Sequence, residues 1–259
     1  MTTEQETLVL VRVQARGGKY LGPAVGYSLI TISDGEQILF GPVIAKGGSG
    51  TVNTQVNSGF PADSSPNAIV VAASTSGPPA GAYWLMPDTE SEGPTAGVIA
   101  SLSLTKPTLL EFRATALTDT KNPVTTSAMM WVYPGQNLTS EPGVLLSMPG
   151  LAVSVATAID LQLTVTATVT MMCGCPITTP TWPQAPGGPE PYWPETAFEV
   201  FAVLTLPDGS TINQPLAFTN TSTFEATLPL PPSGLSTIGV CAVQQAESNV
   251  GYDEVQLTV

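Results

Sequence analysis

The sequence contains no histidine and only seven lysine and arginine residues, against 20 aspartate and glutamate residues. Without an imidazole, the chain cannot form a Ser-His-Asp triad, a Cys-His dyad or a histidine-ligated zinc, copper or haem site. Charged residues make up 10% of the chain, where about a quarter is usual. These absences exclude several catalytic classes, and we expect that the protein is not an enzyme.

The net charge is −13. This charge argues against nucleic acid as a partner, because contacts between basic residues and phosphates supply most of that affinity, and it disfavours anionic membranes. No stretch approaches the ~18 to 20 consecutive apolar residues that cross a bilayer, so we predict no membrane span. Residues 1–7 are polar and acidic, unlike a secretory signal peptide.

All seven basic residues lie at or before Lys121. Residues 1–121 also hold ten acidic residues, for a net charge of −3, whereas residues 122–259 hold ten acidic and no basic residues, for −10. Head-to-tail association would bring the less acidic half of one molecule against the more acidic half of the next. Trypsin-like proteases also have no site after Lys121, which suits an extracellular or cell-surface protein.

The composition is typical of a protein built from strands. The chain has 34 Thr, 24 Val and 10 Ile, and its 24 Gly and 25 Pro interrupt it at short intervals. The longest alternation of apolar and polar residues covers residues 159–171 and predicts a strand with one buried face. Further strands are predicted at residues 8–15, 26–33, 67–73, 97–104, 109–117, 127–133, 151–156, 198–206, 224–230, 237–244 and 254–259. The predicted fold class is all-β.

An internal repeat relates the two halves of the chain. Residues 29–35 resemble residues 203–209, each a strand that enters an Asp-Gly turn. The alternating apolar residues that begin at Phe112 and at Ile238 are followed, 19 residues further on, by Trp131 and Leu257. The repeat predicts two copies of one β-sandwich in tandem.

The predicted domains are a first sandwich at residues 1–134, a linker at residues 135–150 and a second sandwich at residues 151–259. The first copy carries about 48 extra residues in an insertion at about residues 41–97. The second copy has a strand at residues 151–156 before its long alternating strand, and the N-terminus has no equivalent. We therefore expect the first copy to lack its opening strand and to leave an edge that something covers.

The hairpin at residues 237–252, its terminal strand at 253–259 and the looser copy at 110–132 resemble the bacterial immunoglobulin-like or fibronectin-type sandwich family. The resemblance implies two tandem immunoglobulin-like sandwiches. In such sandwiches a Cys on the second strand bonds a Cys on the second-to-last strand. It therefore implies a disulfide between Cys173 and Cys241, or alternatively between Cys175 and Cys241.

The sequence Met171-Met172-Cys173-Gly174-Cys175 is the main candidate for chemistry. Thiolates and thioethers are soft ligands that select copper(I) over hard cations, and Gly174 permits the bend that would bring both thiols onto one ion. Three cysteines leave one thiol over in any disulfide scheme of a monomer. Both alternatives, a disulfide with Cys241 and a copper(I) site at Met171, Met172, Cys173 and Cys175, remain open from the sequence.

Two aromatic groups lie in proline-rich segments, Trp182 with Tyr192 and Trp193, and Tyr83 with Trp84. Rigid prolines and flat rings suit a binding surface, because little conformational entropy is lost on binding. These rings could stack on a glycan or dock on a neighbouring subunit. The alternative is that they cap the end of their own sandwich.

Carboxylates give a weaker hypothesis of calcium binding, less favoured than copper(I). Asp88, Glu90 and Glu92 alternate through one segment, and Asp253 and Glu254 lie near the C-terminus. Calcium takes six to eight oxygen ligands, usually from a tight cluster of Asp, Asn and Gly. No Asp-x-Asp-x-Asp-Gly loop is present in the sequence.

The leading functional hypothesis is a non-catalytic, extracellular structural or adhesive protein. It would bind further copies of itself or another surface protein, as in a surface filament assembled by strand addition at residues 8–13. The alternative is a copper(I)-binding protein. A weaker alternative is a glycan-binding module.

Overall fold

The computed structural model describes residues 5–18, 20–21, 28–45, 82–84, 97–116, 123–140, 143–179 and 193–259, with residues 82–84 as backbone. These ranges contain 17 strands and two single-turn 3-10 helices, and no α-helix. None of the described helices is long and apolar enough to cross a membrane. The prediction of an all-β protein is confirmed.

The described chain divides into two compact units, the first ending at Met148 and the second beginning at Pro149. The strands of the first unit are β1 (Gln5–Ala15), β2 (Ser28–Ser33), β3 (Ile38–Ile44), β4 (Ala82–Trp84), β5 (Val98–Leu104), β6 (Thr108–Ala116), β7 (Thr125–Val132), β8 (Asn137–Leu138) and β9 (Val144–Met148). One sheet has the order β3-β2-β6-β7, and the other has the order β4-β5-β1 with β8 and β9 both paired to β1.

The strands of the second unit are β10 (Leu151–Ile159), β11 (Leu163–Met171), β12 (Glu199–Thr205), β13 (Thr211–Pro215), β14 (Ala217–Asn220), β15 (Thr223–Leu228), β16 (Leu235–Gln244) and β17 (Asn249–Thr258). They form the sheets β10-β11-β15-β14 and β13-β12-β16-β17. This order is that of an immunoglobulin-like sandwich with one additional strand, β13, on its second sheet. The chain is therefore a tandem of β-sandwich units.

The internal repeat is visible in the topology. The sheet β3-β2-β6-β7 connects its strands in the same order as the sheet β13-β12-β16-β17. Both Asp-Gly turns form as predicted: Asp34 Oδ1 accepts from the backbone N–H of Gln37 at 2.9 Å, and Asp208 Oδ1 accepts from the Ser210 hydroxyl at 2.6 Å. These hydrogen bonds lower the pKa of both carboxyl groups. Each following glycine has a positive φ, 90° and 84°, which favours glycine.

The second sequence match holds only in part. Phe112 and Ile238 are both fully buried on equivalent strands, but Trp131 is 59% exposed whereas Leu257 is 6% exposed. The reason is that the two hairpins differ in register. Phe112 pairs with Ala128, whereas Ile238 pairs with Val255, which lies one residue further along its hairpin than Ala128 does in the first. A shift of one residue turns a side chain to the opposite face of the sheet.

The edge predicted on the first strand is covered by the chain itself. β1 pairs antiparallel with β5 on one side and parallel with β8 and β9 on the other. In this register Val11, Val13 and Ala15 lie beside Val144, Leu146 and Met148, and the last three are at most 8% exposed. In the second unit the corresponding place beside β11 is taken by β10, which is antiparallel.

Part of the linker predicted at residues 135–150 therefore forms two strands of the first unit, β8 and β9. The first unit extends to Met148 instead of ending at residue 134, and only Pro149 and Gly150 lie between β9 and β10. The proline and glycine residues around this segment suggested a linker. Its five-residue alternation is too short to predict a strand that pairs with the far end of the unit.

The strand predicted at residues 159–171 contains the last residue of one strand, a turn and the whole of the next strand. β10 ends at Ile159 and β11 begins at Leu163. The turn is closed by a hydrogen bond from the Asp160 N–H to the Gln162 carbonyl at 3.0 Å, and Leu161 at its tip is 88% exposed. Alternation alone does not reveal a reversal of direction, because the apolar period continues through the turn.

The predicted strand at 67–73, and the insertion at 41–97 apart from residues 41–45, 82–84 and 97, lie outside the described residues.

The core of the first unit includes a charged residue. β1 is buried on both faces, and Arg12 at its centre has no exposed surface. Its guanidinium carbon lies 5.5 Å from the centre of the Tyr20 ring. A cation over an aromatic face is attracted by the ring quadrupole, which offsets part of the cost of burying the charge.

Candidate functional site

The sulfur-containing segment lies in a tight turn at the end of β11. The inward positions of β11 alternate along the strand and end at Met171, which is fully buried. The Gly174 N–H donates to the Met171 carbonyl at 2.7 Å, and the Met171 N–H donates to the Cys175 carbonyl at 3.2 Å. Gly174 has a φ of 70°, so the predicted bend at this glycine is present. We call residues 171–175 the sulfur turn.

The two thiols of the sulfur turn are brought together. The Sγ atoms of Cys173 and Cys175 lie 2.7 Å apart. Met172 and Cys173 have no exposed surface and Cys175 is 3% exposed. Two thiolates on one tetrahedral metal at about 2.3 Å would lie ~3.8 Å apart. The pair is therefore spaced more closely than two ligands of one metal ion.

The disulfide predicted between Cys173 or Cys175 and Cys241 is not formed in the structure. The inward side chains of β16 are those of its even-numbered residues, including Val240 and Ala242, which are fully buried. Cys241 is on the opposite face, only partly buried, and lies between Phe201 and Tyr252 of the neighbouring strands. Burial raises the pKa of its thiol.

No three His, Cys, Asp or Glu side chains of the described ranges lie close enough together to hold a metal ion. The carboxylates of Asp253 and Glu254, a candidate calcium site, are on opposite faces of β17, Asp253 buried and Glu254 exposed. Adjacent residues of a strand point to opposite sides, so these two cannot bind one ion together. Asp88, Glu90 and Glu92 lie outside the described residues.

The predicted aromatic surface is described only in part. Trp193 is 9% exposed, and its carbonyl accepts a hydrogen bond from the Thr178 N–H at 3.1 Å. It therefore packs into its own sandwich, as the alternative interpretation expected, and offers no ring to a ligand. Trp182 and Tyr192 lie outside the described residues. Tyr83 and Trp84 belong to β4, of which only the backbone is described.

β7 carries an exposed row of apolar side chains that the sequence pattern does not reveal. Met129, Trp131 and Tyr133 are 63%, 59% and 56% exposed. They occupy alternate positions and so lie on one face of the strand and its extension. We call these three side chains the β7 row. Residues 127–133 were predicted as a strand, but the sequence does not show which of its faces is exposed.

β7 is also a sheet edge within the described ranges, because among their strands it pairs only with β6, in the sheet β3-β2-β6-β7. Residues 123–140 contain no Asp, Glu, Lys or Arg. The corresponding edge strand of the second unit, β17, contains both Asp253 and Glu254. Natural edge strands are usually protected by charge, proline or a bulge. β7 has none of the charges that would discourage pairing.

No protein-family model matches the chain, and no curated protein matches its sequence. Among solved structures, the chain is similar to the interferon gamma receptor alpha chain of chicken, with a TM-score of 0.32 and 9% sequence identity over 100% of this chain and 99% of the receptor chain. A similarity at this level does not support a conclusion about the function of this chain.

Proposed function

We propose that the protein is a non-catalytic structural or adhesive protein, exposed outside the cell, that associates with a second copy of itself through β7. The association predicted at residues 8–13 is replaced in this proposal, because β1 already has a partner on each side. The observation that supports β7 is its uncharged edge, which none of the described strands covers, with the β7 row beside it. Function in a sandwich depends on such surfaces and not on the fold.

Strand addition at β7 is favoured by the backbone and by the side chains together. The backbone of an edge strand presents unpaired N–H and C=O groups that a second strand can bond. The β7 row adds large apolar side chains, which gain from cross-strand contacts with a partner strand. Ser127, on the same face as the β7 row, is also exposed, whereas the opposite face is half-buried at Thr126 and Met130 and buried at Val132.

A second copy of the chain is the partner that the charge distribution favours. With a net charge of −13, most pairs of surfaces on two copies repel one another. The edge at β7 has no ionisable side chain in residues 123–140, so two copies can meet there without opposing like charges. β17 is a less favourable edge for self-association, because its Glu254 side chain is exposed.

Two β7 strands would pair antiparallel about a two-fold axis, since the same patch serves both molecules. The two four-stranded sheets would then join into one continuous sheet. An extracellular location is supported by the absence of Lys and Arg after Lys121, which protects more than half of the chain from trypsin-like proteases.

The proposal is tested by sedimentation velocity over a range of protein concentrations. We expect the wild-type chain to associate and Trp131→Lys to remain monomeric at concentrations where the wild type does not. Val250→Lys is the matched control, because Val250 is 54% exposed on β17 and the substitution changes the net charge by the same amount. A monomeric wild type at every concentration, or an equal loss of association in both variants, would contradict the proposal.

A further inference from the structure

We infer that Cys173 and Cys175 form a disulfide with each other under oxidising conditions, closing a ring across Gly174. The inference is independent of the association through β7. It rests on the 2.7 Å separation of the two Sγ atoms and on the turn that holds them together. The sequence resemblance had implied a different pair, with Cys241 as the partner.

The backbone conformation makes a bridge across one residue possible. In an extended strand, alternate Cα atoms are ~6.8 Å apart, at the outer limit of the 4.4 to 6.8 Å range of disulfides. The sulfur turn is not extended, because Gly174 has a φ of 70° and its N–H bonds the Met171 carbonyl. The turn shortens the separation and directs both side chains into the same buried space.

The surroundings of the turn fix its position. The segment after it is bonded to Ser222: the Ile177 N–H donates to the Ser222 hydroxyl at 3.0 Å, and the Ser222 N–H donates to the Ile177 carbonyl at 2.8 Å. Thr170 forms a β-bridge with Pro176 across the turn. Because both ends of the turn are held, the two sulfurs have little freedom to separate.

The third thiol does not compete for the bridge. Cys241 lies on the outward face of β16, whereas Cys173 and Cys175 are buried. The odd number of cysteines is thereby explained, with one buried pair and one thiol on the outer face.

The oxidant is a small-molecule disulfide such as oxidised glutathione. The Cys175 thiolate, the more accessible of the two, attacks one glutathione sulfur and releases one glutathione thiolate. The Cys173 thiolate then attacks the Cys175 sulfur of the mixed disulfide and releases the second glutathione. The two thiol protons pass to the two released thiolates, so that two protein thiols and one glutathione disulfide give one protein disulfide and two glutathione thiols.

The test incubates the full chain in a glutathione buffer poised at the potential of an oxidising compartment, then counts thiols after unfolding and measures intact mass. We expect one thiol per wild-type chain and a mass lower by two hydrogens than that of the reduced protein. Cys241→Ser should lose both of its remaining thiols in the same way. Three remaining thiols in the wild type would overturn the inference.

Together with Cys241→Ser, the variant Cys175→Ser identifies the disulfide partner of Cys173. Cys175→Ser should keep its Cys173 and Cys241 thiols or gain one glutathione, and form no internal disulfide. An internal disulfide in Cys175→Ser would place the bridge at Cys241 and overturn the inference. If a serine variant does not fold, peptide mapping of the oxidised wild type after cleavage at glutamate still decides, because a bridge at residues 173–175 leaves both cysteines in one peptide and any link to Cys241 joins two.

Discussion

Val13 and Leu146 are partners in the parallel pairing of β1 with β9, so the last strand of the first unit lies beside its first. The parallel strand takes the place that an antiparallel opening strand has in the second unit. Leu146 is 2% exposed and Val13 has no exposed surface. β9 is therefore part of the core of the first unit and not a connection between domains.

Truncation of Leu146 tests this role. We expect Leu146→Ala to lower the free energy of unfolding of the first unit by about 2–5 kcal/mol, because it removes a buried leucine and leaves a cavity. The neighbouring Leu145 is 38% exposed, and Leu145→Ala should change the free energy by less than about 0.5 kcal/mol. Urea unfolding of both variants measures the difference. Equally small effects of the two substitutions would contradict the role of β9 in the core of the first unit.

The sequence predicts strands well where one face is buried and poorly where pairing is distant. β5, β6, β12 and β16 are each seven or more residues long, and all were expected. β9 was not, because five residues flanked by glycine and proline give a weak pattern, and its partner is β1 at the other end of the unit. The burial of Arg12 could not be predicted from the sequence either, because it depends on what covers both faces of the sheet.

The candidate sites show the same division. The bend at Gly174 was predicted because it depends on neighbouring residues alone. The prediction that Cys241 is the disulfide partner of Cys173 was wrong because β16 has small or apolar residues on both faces. Gly239, Cys241 and Val243 lie on one face, and Val240 and Ala242 lie on the other. In such a strand the period of two does not show which face is inward.

Asp253 provides a second prediction, since its Oδ2 atom accepts a hydrogen bond from the Val155 N–H at 3.0 Å and so ties β17 to β10. We expect Asp253→Ala to lower the free energy of unfolding of the second unit by about 1–3 kcal/mol, because it leaves the partly buried Val155 N–H without its acceptor. Asp253→Asn keeps an acceptor oxygen and should lose less.

The matched control for Asp253 is Gln256→Ala, an exposed position on the same strand, which should change the free energy of unfolding by less than about 0.5 kcal/mol. Thermal or denaturant unfolding of the variants compares them directly. A neutral Asp253→Ala would mean that the link between β17 and β10 does not stabilise the unit.

The titration of Tyr252 gives a third prediction. Its hydroxyl donates to Glu254 Oε2 at 2.7 Å, and this hydrogen bond, followed by burial, raises the pKa of Tyr252 to about 12. Glu254→Gln should lower this pKa toward the ordinary value of about 10. The ultraviolet absorbance of tyrosinate measures the change, and Glu247→Gln, which alters an exposed glutamate elsewhere, should leave the titration as in the wild type.

The same pKa sets a dependence of stability on pH. A folded-state pKa above the unfolded value means that folding favours the neutral phenol, so this contribution is complete below pH of about 10 and is lost as the pH rises to about 12. Glu254→Gln should weaken this alkaline dependence. Identical alkaline unfolding profiles of the variant and the wild type would contradict the assignment.

Amide hydrogen exchange at low and high protein concentration tests the proposed association most directly, because strand addition bonds the backbone of the edge itself. We expect a higher concentration to slow exchange in residues 125–132, the β7 strand, and to leave exchange in residues 249–258 of β17 unchanged. Protection at β17 in place of β7, or exchange at β7 that is independent of concentration, would contradict it.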